Sequence, residues 1–201
     1  VHDIGTGILG IHGGIYCLGL QPGTVVRHNL VHDTMEEPLG GDGIVLDNGC
    51  GAIVVEDNIV HHAGRESFCF NFNCLGNVVQ NNVFALSSRA AVNRYGDPPT
   101  AGMEPPPNAN FWYRNIHLVK SGKVFLEESW LNYQTICDYN LYSDVSGGPL
   151  RFLTHSFEEW KAKGLDGSSA IAAPLFVNPE GGDFTPTPDS TALTPGSRPI
   201  H

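Results

Sequence analysis

The chain has 201 residues, and its 11 Lys and Arg against 21 Asp and Glu give a net charge of −10. That charge disfavours nucleic acid as a partner, because phosphates require a basic surface. No apolar run reaches the roughly 18 residues of a membrane helix, so we expect no membrane partner. The 24 Gly and 14 Pro predict many turns and few helices.

The sequence repeats a short motif, V-V-x-x-N, followed by two mostly apolar residues. It occurs as TVVRHNLV at 24–31 and returns as AIVVEDNIV at 52–60 and GNVVQNNVF at 76–84. Short apolar runs such as GGIYCLG and DGIVLDNG precede most copies. The recurring Asn, at gaps of 24 to 33 residues, occupies Asn29, Asn58, Asn82, Asn115 and Asn140.

A unit of this length with two or three short strands cannot bury its own core, whereas stacked copies can. The repeat therefore predicts an all-β fold, a parallel β-solenoid. Equivalent Asn residues would stack at the strand spacing of about 4.8 Å and bond along a column. A two-sheet sandwich also suits short strands, but it does not explain an Asn that recurs at one phase.

Residues 1–154 are predicted to form the coils. The proline-rich insertion 96–110, GDPPTAGMEPPPNAN, interrupts them and is long enough to be a functional loop. Residues 155–201 are predicted to add a helix and an extended cap to the same domain.

The segment HSFEEWKAKG predicts one short helix. Ser156 is its predicted N-cap, Glu159 completes a capping box, and Gly164 ends it. The extended, proline-rich C-terminal segment that follows is expected to run along the solenoid or to cover its open end, where unpaired strand edges invite aggregation.

The five cysteines fit neither CxxC pairs nor a zinc spacing with the histidines. Their odd number excludes complete intramolecular pairing, so we expect most of them to be small buried apolar residues. They are Cys17, Cys50, Cys69, Cys74 and Cys137.

Three stretches resemble right-handed parallel β-helix proteins that act on plant polysaccharides, nearest to the bacterial glycoside hydrolase family 141 type. They are GGIYCLGLQPGTVVRHNLVHD, GGDGIVLDNGCGAIVVEDN and SFEEWKAKGLDGSSAIAAPLFVNPEGGDF. The third is the most specific, because its helix, Pro-Leu-Phe-Val and Asn-Pro-Glu-Gly-Gly-Asp-Phe recur together in that group. The resemblance covers nearly all of the chain but only the family's C-terminal half. It implies a right-handed parallel β-helix and a plant cell-wall glycan as ligand.

The chain departs from the family pattern at polar positions. Relatives tend to carry Asp where this chain has Ile11, Glu where it has Asn48, and His-Gln-His where it has 69–71. If those residues line the family's cleft, one acid and both histidines are missing here, a second acid is an amide, and Asp47 remains. The departures thus favour sugar binding over hydrolysis.

If the protein is an enzyme, its candidate catalytic residues are Asp47, Asp33 and Asp42, because a glycosidase needs two carboxylates about 5 to 9.5 Å apart. The His32-Asp33 pair recurs as His2-Asp3. An alternative is that the Asp merely starts a turn.

Metal binding is a weaker alternative for the same regions. His61 and His62 with Asp33 are candidate ligands, although neighbouring side chains on a strand face opposite ways. Calcium at Asp42, Asp47 and backbone carbonyls is chemically reasonable. Otherwise we expect no cofactor.

Two groups of side chains are candidates for substrate binding. Polar residues that could bond to sugar hydroxyls are Asn48, Arg65, Glu66, Asn71 and Asn73. Aromatic residues that could stack on sugar rings are Tyr16, Trp112, Tyr113 and Trp130. The alternating Phe68, Phe70 and Phe72 face one way and are more typical of a core.

The leading hypothesis is a non-catalytic carbohydrate-binding module that recognises a plant cell-wall polysaccharide such as xylan. The chain starts inside a motif, so we expect it to be covalently linked to catalytic or other domains of a larger bacterial enzyme, secreted or periplasmic. The alternative is a glycoside hydrolase, and a third hypothesis is a purely structural segment. A lyase is disfavoured, because no basic cluster is placed to neutralise a uronate.

Overall fold

The computed structural model describes residues 1–5, 12–34, 40–96, 109–126, 129–132 and 135–193. There the chain forms a parallel β-solenoid with five complete three-strand coils and a partial sixth. The prediction of a solenoid is therefore confirmed. The sandwich is wrong, because the strands of successive coils pair in parallel within three stacked sheets.

Each coil contributes one strand to each sheet. Sheet one contains β1 (His12–Leu20), β4 (Gly41–Gly51), β7 (Glu66–Asn71), β10 (Ala90–Tyr95), β13 (Lys123–Leu126) and β16 (Arg151–Phe152). Sheet two contains β2 (Val25–Arg27), β5 (Val54–Glu56), β8 (Val78–Gln80), β11 (Asn110–Tyr113) and β14 (Thr135–Asp138). Sheet three contains β3 (Leu30–His32), β6 (Ile59–His61), β9 (Val83–Ala85), β12 (Ile116–Val119), β15 (Leu141–Asp144) and β17 (Ala170–Ile171).

The core fills the interior of the solenoid and follows the register of the repeat. The second valine of each V-V-x-x-N motif points inward, where burial of such a side chain stabilises the fold by about 1.5–3 kcal/mol. Its column along sheet two is Val26, Val55, Val79, Trp112 and Cys137. The inward column of sheet three is Val31, Val60, Phe84, His117 and Tyr142. The interior thus changes from valine to aromatic residues along the axis.

The recurring asparagines form a hydrogen-bonded ladder, as predicted. Each Nδ2 donates to the Oδ1 of the next Asn at 2.9 to 3.5 Å, from Asn29 through to Asn140. The same Oδ1 atoms accept the backbone N–H of the preceding Asn at 2.9 to 3.0 Å. Since buried backbone donors require partners, the recurrence of this Asn at one position of each coil has a structural cause.

A single left-handed residue precedes every ladder Asn and turns the chain from sheet two into sheet three. The φ angles at this corner lie between 53° and 59°. The corner residues are His28, Asp57, Asn81, Arg114 and Tyr139.

Asp166 ends the ladder in the partial sixth coil. Its Oδ1 accepts from Asn140 Nδ2 at 2.8 Å and from Ser169 Oγ at 2.5 Å. Its Oδ2 accepts from Tyr142 Oη at 2.9 Å and from Trp160 Nε1 at 2.7 Å. Four donors thus satisfy a fully buried carboxyl group, whose pKa burial raises.

The predicted helix is α2 (Phe157–Ala162), a second helical segment after the single turn α1 (Ser129–Asn132). Ser156 and Glu159 form the predicted capping box. Trp160 is fully buried and stacks on Phe125 at 5.4 Å between ring centroids. Helix α2 therefore closes the end of the hydrophobic interior.

The chain after α2 runs along the side of the solenoid. Strands β18 (Phe176–Asn178) and β19 (Asp183–Pro186) form an antiparallel hairpin with a 3-10 turn, Pro179–Gly181, between them, and a second turn follows at Thr191–Leu193. Phe176 and Phe184 pack on outward apolar residues of sheet three, including Val83 and Leu118. Residues 97–108 of the predicted insertion and residues 194–201 lie outside the described part.

All five cysteines lie within the described residues, and all are free thiols. Four are buried and Cys17 is half-buried, which confirms their prediction as mostly buried apolar residues.

Candidate functional site

The outer face of sheet one carries a group of polar side chains on neighbouring coils. Asp42 and Asp47 lie on β4, Glu66 and Asn71 on β7, and Tyr95 on β10. Their register follows from the pairing of Ile44 with Phe68 and of Asn71 with Tyr95. The solenoid therefore brings together residues that lie 24 or more positions apart in the sequence.

Asp47 is held between two donors, and we call Tyr16, Asp47 and Asn71 the Asp47 trio. The Tyr16 hydroxyl donates to Asp47 Oδ2, and Asn71 Nδ2 donates to Asp47 Oδ1 at 2.7 Å. Asp47 is buried, whereas Tyr16 is 46% exposed. This arrangement places a fixed, buried carboxylate beside an accessible aromatic ring.

A second group is centred at the opposite end of β4 and β7, and the Tyr95 side chain reaches it from the end of β10. We call Asp42, Arg65, Glu66, Arg89 and Tyr95 the Glu66 cluster. Glu66 is fully buried, with Arg65 Nε 3.6 Å from its Oε2 and Arg89 Nε 3.2 Å from its Oε1. Both arginines donate to the Tyr95 hydroxyl. The backbone N–H of Glu66 donates to Asp42 Oδ1 at 3.3 Å, which links the two acids across adjacent coils.

Burial raises the pKa of Glu66 to about 8, and a hydrogen bond and the charge of Asp42 act in the same direction. The charges of Arg89 and Arg65 oppose this rise. Glu66 is therefore a buried acid that retains its proton near neutral pH beside a second carboxyl group.

Replacing Glu66 by Gln is expected to change how stability depends on pH. With a native pKa near 8 against an ordinary value of 4.5, the folded protein binds a proton that the unfolded chain loses. Its stability therefore falls as pH rises through this window. Glu66→Gln should flatten that fall in urea unfolding measured between pH 5 and pH 8. Exposed Glu158→Gln is the control, and parallel curves for Glu66→Gln and wild type would show that Glu66 is ionised.

A concavity of about 250 Å³, which we call the sheet-one cleft, adjoins the Asp47 trio through Asn71 and the Glu66 cluster through Asp42, Arg65 and Tyr95. It is lined by Asp42, Val45, Arg65, Cys69, Asn71, Phe72 and Tyr95. The cleft thus combines carboxylate, amide, guanidinium and phenol groups with an apolar floor.

Two further predicted residues are exposed and left-handed near the ends of the cleft strands. Asn48, with a φ of 38°, lies within β4, and Asn73, with a φ of 55°, follows β7. Phe72 requires a correction: Phe68 and Phe70 are core residues, but Phe72 has a left-handed φ of 39° and is 43% exposed. The strand period ends at Asn71, so Phe72 no longer follows its alternation.

Asp33 does not join these residues, because it lies at the corner after sheet three. Its φ is 50°, and His32 Nδ1 lies 2.7 Å from its Oδ2. This hydrogen bond lowers the pKa of Asp33. The rings of His2, His32 and His61 stack at 4.9 Å. The repeated His-Asp pair therefore lies at a corner of the fold, as the turn alternative predicted, and Asp33 is not brought together with Asp42 and Asp47.

Trp112 and Trp130 also require correction, because both lie in the core. Trp112 is 0% exposed, and its Nε1 donates to His117 Nε2 at 3.1 Å. Trp130 is buried against Phe125, 4.6 Å away between ring centroids. Neither ring can stack on a sugar. Tyr113 lies instead at the outer face of sheet two, in a different concavity.

Sequence reasoning missed the role of Arg89, which carries no repeat signal. The proximity of Asp42 and Glu66 could have been predicted from the sequence. Each lies two residues before an inward residue of sheet one, and those residues, Ile44 and Phe68, pair across adjacent coils. Aligning sheet-one strands would have placed these acids on adjacent coils.

No helix in the described part of the chain is long and apolar enough to cross a membrane. Across the same residues, no three His, Cys, Asp or Glu side chains group so as to hold a metal ion. Comparisons with protein-family models, curated proteins and solved structures found no match. The family 141 resemblance therefore stays a prediction.

Proposed function

We propose that this protein binds a plant cell-wall polysaccharide of the xylan type along the outer face of sheet one. The observation that carries the proposal is the Asp47 trio, in which an oriented carboxylate lies beside the half-exposed ring of Tyr16. Ionised oxygens make strong hydrogen bonds to hydroxyl groups, and the apolar face of a sugar ring packs on aromatic rings. Each sugar residue of a polysaccharide offers both hydroxyl groups and an apolar ring face.

The repetitive form of the surface also supports a linear polymer as ligand. Adjacent coils place equivalent side chains about 4.8 Å apart, a length comparable to one pyranose residue of an extended chain. Asp47 and Asn71 are such neighbours, and Tyr95 follows on the next coil. A ligand with the same repeat can contact successive coils in the same way.

The charge of the site favours a neutral glycan backbone. With Glu66 protonated, Asp42 and Asp47 only balance the two arginines of the Glu66 cluster, and the whole chain carries a net charge of −10. The site therefore has no excess positive charge to bind a polyuronate, which the negative charge of the chain as a whole also disfavours. The sequence resemblance to β-helix proteins of plant polysaccharide metabolism supports the same class. On this proposal the module belongs to a larger secreted or periplasmic enzyme.

Glycoside hydrolysis is the second candidate, and the Asp42–Glu66 contact favours it. A protonated acid beside a second carboxyl group is the arrangement that divides acid and nucleophile roles in retaining glycosidases, where the separation is about 5 Å. Asp42 and Glu66 lie on adjacent coils. In this version Asp42 is a catalytic residue, as predicted, and Glu66 replaces Asp33 as its partner.

The proposal predicts that Asp47→Asn weakens binding to soluble xylan by roughly tenfold to a hundredfold, the effect of losing a charged hydrogen bond. The substitution keeps the side-chain volume, so circular dichroism and the thermal midpoint should show a folded protein. Binding is measured by gel retardation on a panel of plant polysaccharides and by calorimetry, together with the release of reducing ends.

Asp189→Ala, at an exposed position in the C-terminal segment, is the matched control and should bind like wild type. Retardation without release of reducing ends supports binding alone. Release that disappears in Glu66→Gln supports hydrolysis instead. Equal affinity of Asp47→Asn and wild type would contradict the proposed site, and no retardation on any glycan would favour a structural segment.

A further inference from the structure

A second concavity, of about 320 Å³, opens at the corner between sheets two and three in the fourth and fifth coils. We call it the Tyr139 site. It is lined by Tyr113, Arg114, Ile136, Cys137, Asp138, Tyr139, Gly164 and Gly167. The sheet-one cleft shares none of these residues, so this is a separate place on the solenoid.

An exposed aromatic ring with an ordered cation forms one wall of the Tyr139 site. Tyr139 is 56% exposed, and the Arg114 guanidinium lies over its ring, 5.2 Å from the centroid. This contact holds the ring in place while leaving much of its surface in solvent. Ile136 is 45% exposed beside it and adds apolar surface.

The backbone at Arg114 and Tyr139 is unfavourable for these residue types. Both occupy the left-handed corner, with φ of 53° and 59°. The first three coils place His28, Asp57 and Asn81 there, residues that tolerate this conformation. Leu86 is also left-handed, but its side chain is fully buried and packing accounts for it. The fold imposes this corner before every ladder Asn, so the feature that points to a ligand is the residue type, an exposed aromatic ring where the first three coils carry His, Asp or Asn.

The glycines of the Tyr139 site leave room for a ligand, and Asp138 supplies a polar group. No described atom lies within 4 Å of a Cβ built on Gly164 or Gly167. Asp138 is fixed by two backbone donors, Tyr139 N at 2.9 Å and Ser168 N at 2.6 Å. A carboxylate and a guanidinium therefore flank the exposed ring, and the carboxylate can accept a hydrogen bond from a hydroxyl group.

We infer that the Tyr139 site is a second carbohydrate-binding site, which takes one pyranose ring stacked on the face of Tyr139 that Arg114 leaves open, with a hydroxyl toward Asp138. The class of ligand rests on the proposed function, whereas the location rests on the geometry of this corner alone.

The test compares Tyr139→Asn with Tyr139→Phe by retardation in gels that contain soluble xylan. Tyr139→Asn removes the ring and should weaken retention by roughly three- to tenfold, a range consistent with the loss of one aromatic contact. Tyr139→Phe keeps the ring and should bind like wild type. The thermal midpoint of Tyr139→Asn should equal or exceed that of wild type, because Asn suits the left-handed corner.

Asp47→Asn in the same gels separates this inference from the proposed function. If Tyr139→Asn binds like wild type while Asp47→Asn is weakened, the Tyr139 site is overturned and the sheet-one cleft stands. If Tyr139→Asn alone is weakened, the Tyr139 site stands and the proposed cleft does not. Absence of binding by wild type overturns both, and equal weakening by Tyr139→Phe and Tyr139→Asn overturns the stacking role.

Discussion

Replacing Asn82 by Ala is expected to lower the free energy of unfolding by about 3–5 kcal/mol, because several buried partners lose their hydrogen bonds at once. The Asn82 Oδ1 accepts from both nitrogens of Asn58 at 2.9 and 3.0 Å. Its Nδ2 donates to Val55 O, Gln80 O and Asn115 Oδ1 at 2.9 to 3.0 Å. Urea unfolding followed by circular dichroism measures the change.

Asn29→Ala is the matched control, because Asn29 is the first rung of the same ladder and is only partly buried. Water can replace the bond that its Nδ2 makes to Arg27 O, so the expected loss is only about 1 kcal/mol. Equal losses at Asn82 and Asn29 would show that the ladder adds little to the stability of the solenoid.

Acid is expected to destabilise the protein through buried His117. Burial lowers the pKa of His117 from 6.5 to about 3, and burial also lowers that of His61 to about 4. The unfolded chain therefore binds protons that the folded protein excludes. This part of the stability is present above pH 6.5 and is lost as pH falls toward the native pKa. Between pH 6.5 and pH 4, His117 alone should account for about 3 kcal/mol.

His117→Phe removes this titration at the cost of the acceptor for Trp112 Nε1. It should be less stable than wild type at pH 7, and the difference should shrink or reverse by pH 4 in urea unfolding. His28→Asn, at an exposed left-handed corner, is the control and should follow the wild-type curve. A constant difference between His117→Phe and wild type across this range would contradict the assignment.

The repeat predicted most of the fold, because its Asn is visible in a short motif although the hydrogen bonds that require it join neighbouring coils. A ladder needs the same residue at the same phase of each coil, and that requirement is visible as V-V-x-x-N. The helix was equally predictable, since Ser156 and Glu159 satisfy each other within one turn. Packing of the C-terminal hairpin on sheet three has no local signal, because Phe176 and Phe184 contact residues about 60 or more positions away.

The candidate site was less predictable than the fold, because the position of an aromatic residue within the repeat, and not its type, decides whether its ring points inward. Phe111-Trp112-Tyr113-Arg114-Asn115 aligns with the motif Val25-Val26-Arg27-His28-Asn29, which places Trp112 at the inward position of Val26. The same alignment assigns Tyr139 to the left-handed corner. Trp130 follows no repeat phase, so its burial could not be predicted from the sequence.

Chemistry that depends on neighbouring coils was predicted only in part. Asp47 and Asn71 were both candidates, but their contact arises from pairing between β4 and β7. The elevated pKa of Glu66 has the same origin, since it depends on burial and on Asp42 one coil away. The sequence identifies such residues individually, but their contacts are known only once the pairing of the coils is known.

A crystal structure of the protein soaked with a xylo-oligosaccharide tests the central claim most directly. The account predicts a saccharide along the outer face of sheet one, with hydroxyl groups within hydrogen-bond distance of Asp47 and a ring packed on Tyr16. A saccharide bound only elsewhere, with the sheet-one cleft empty, would contradict it.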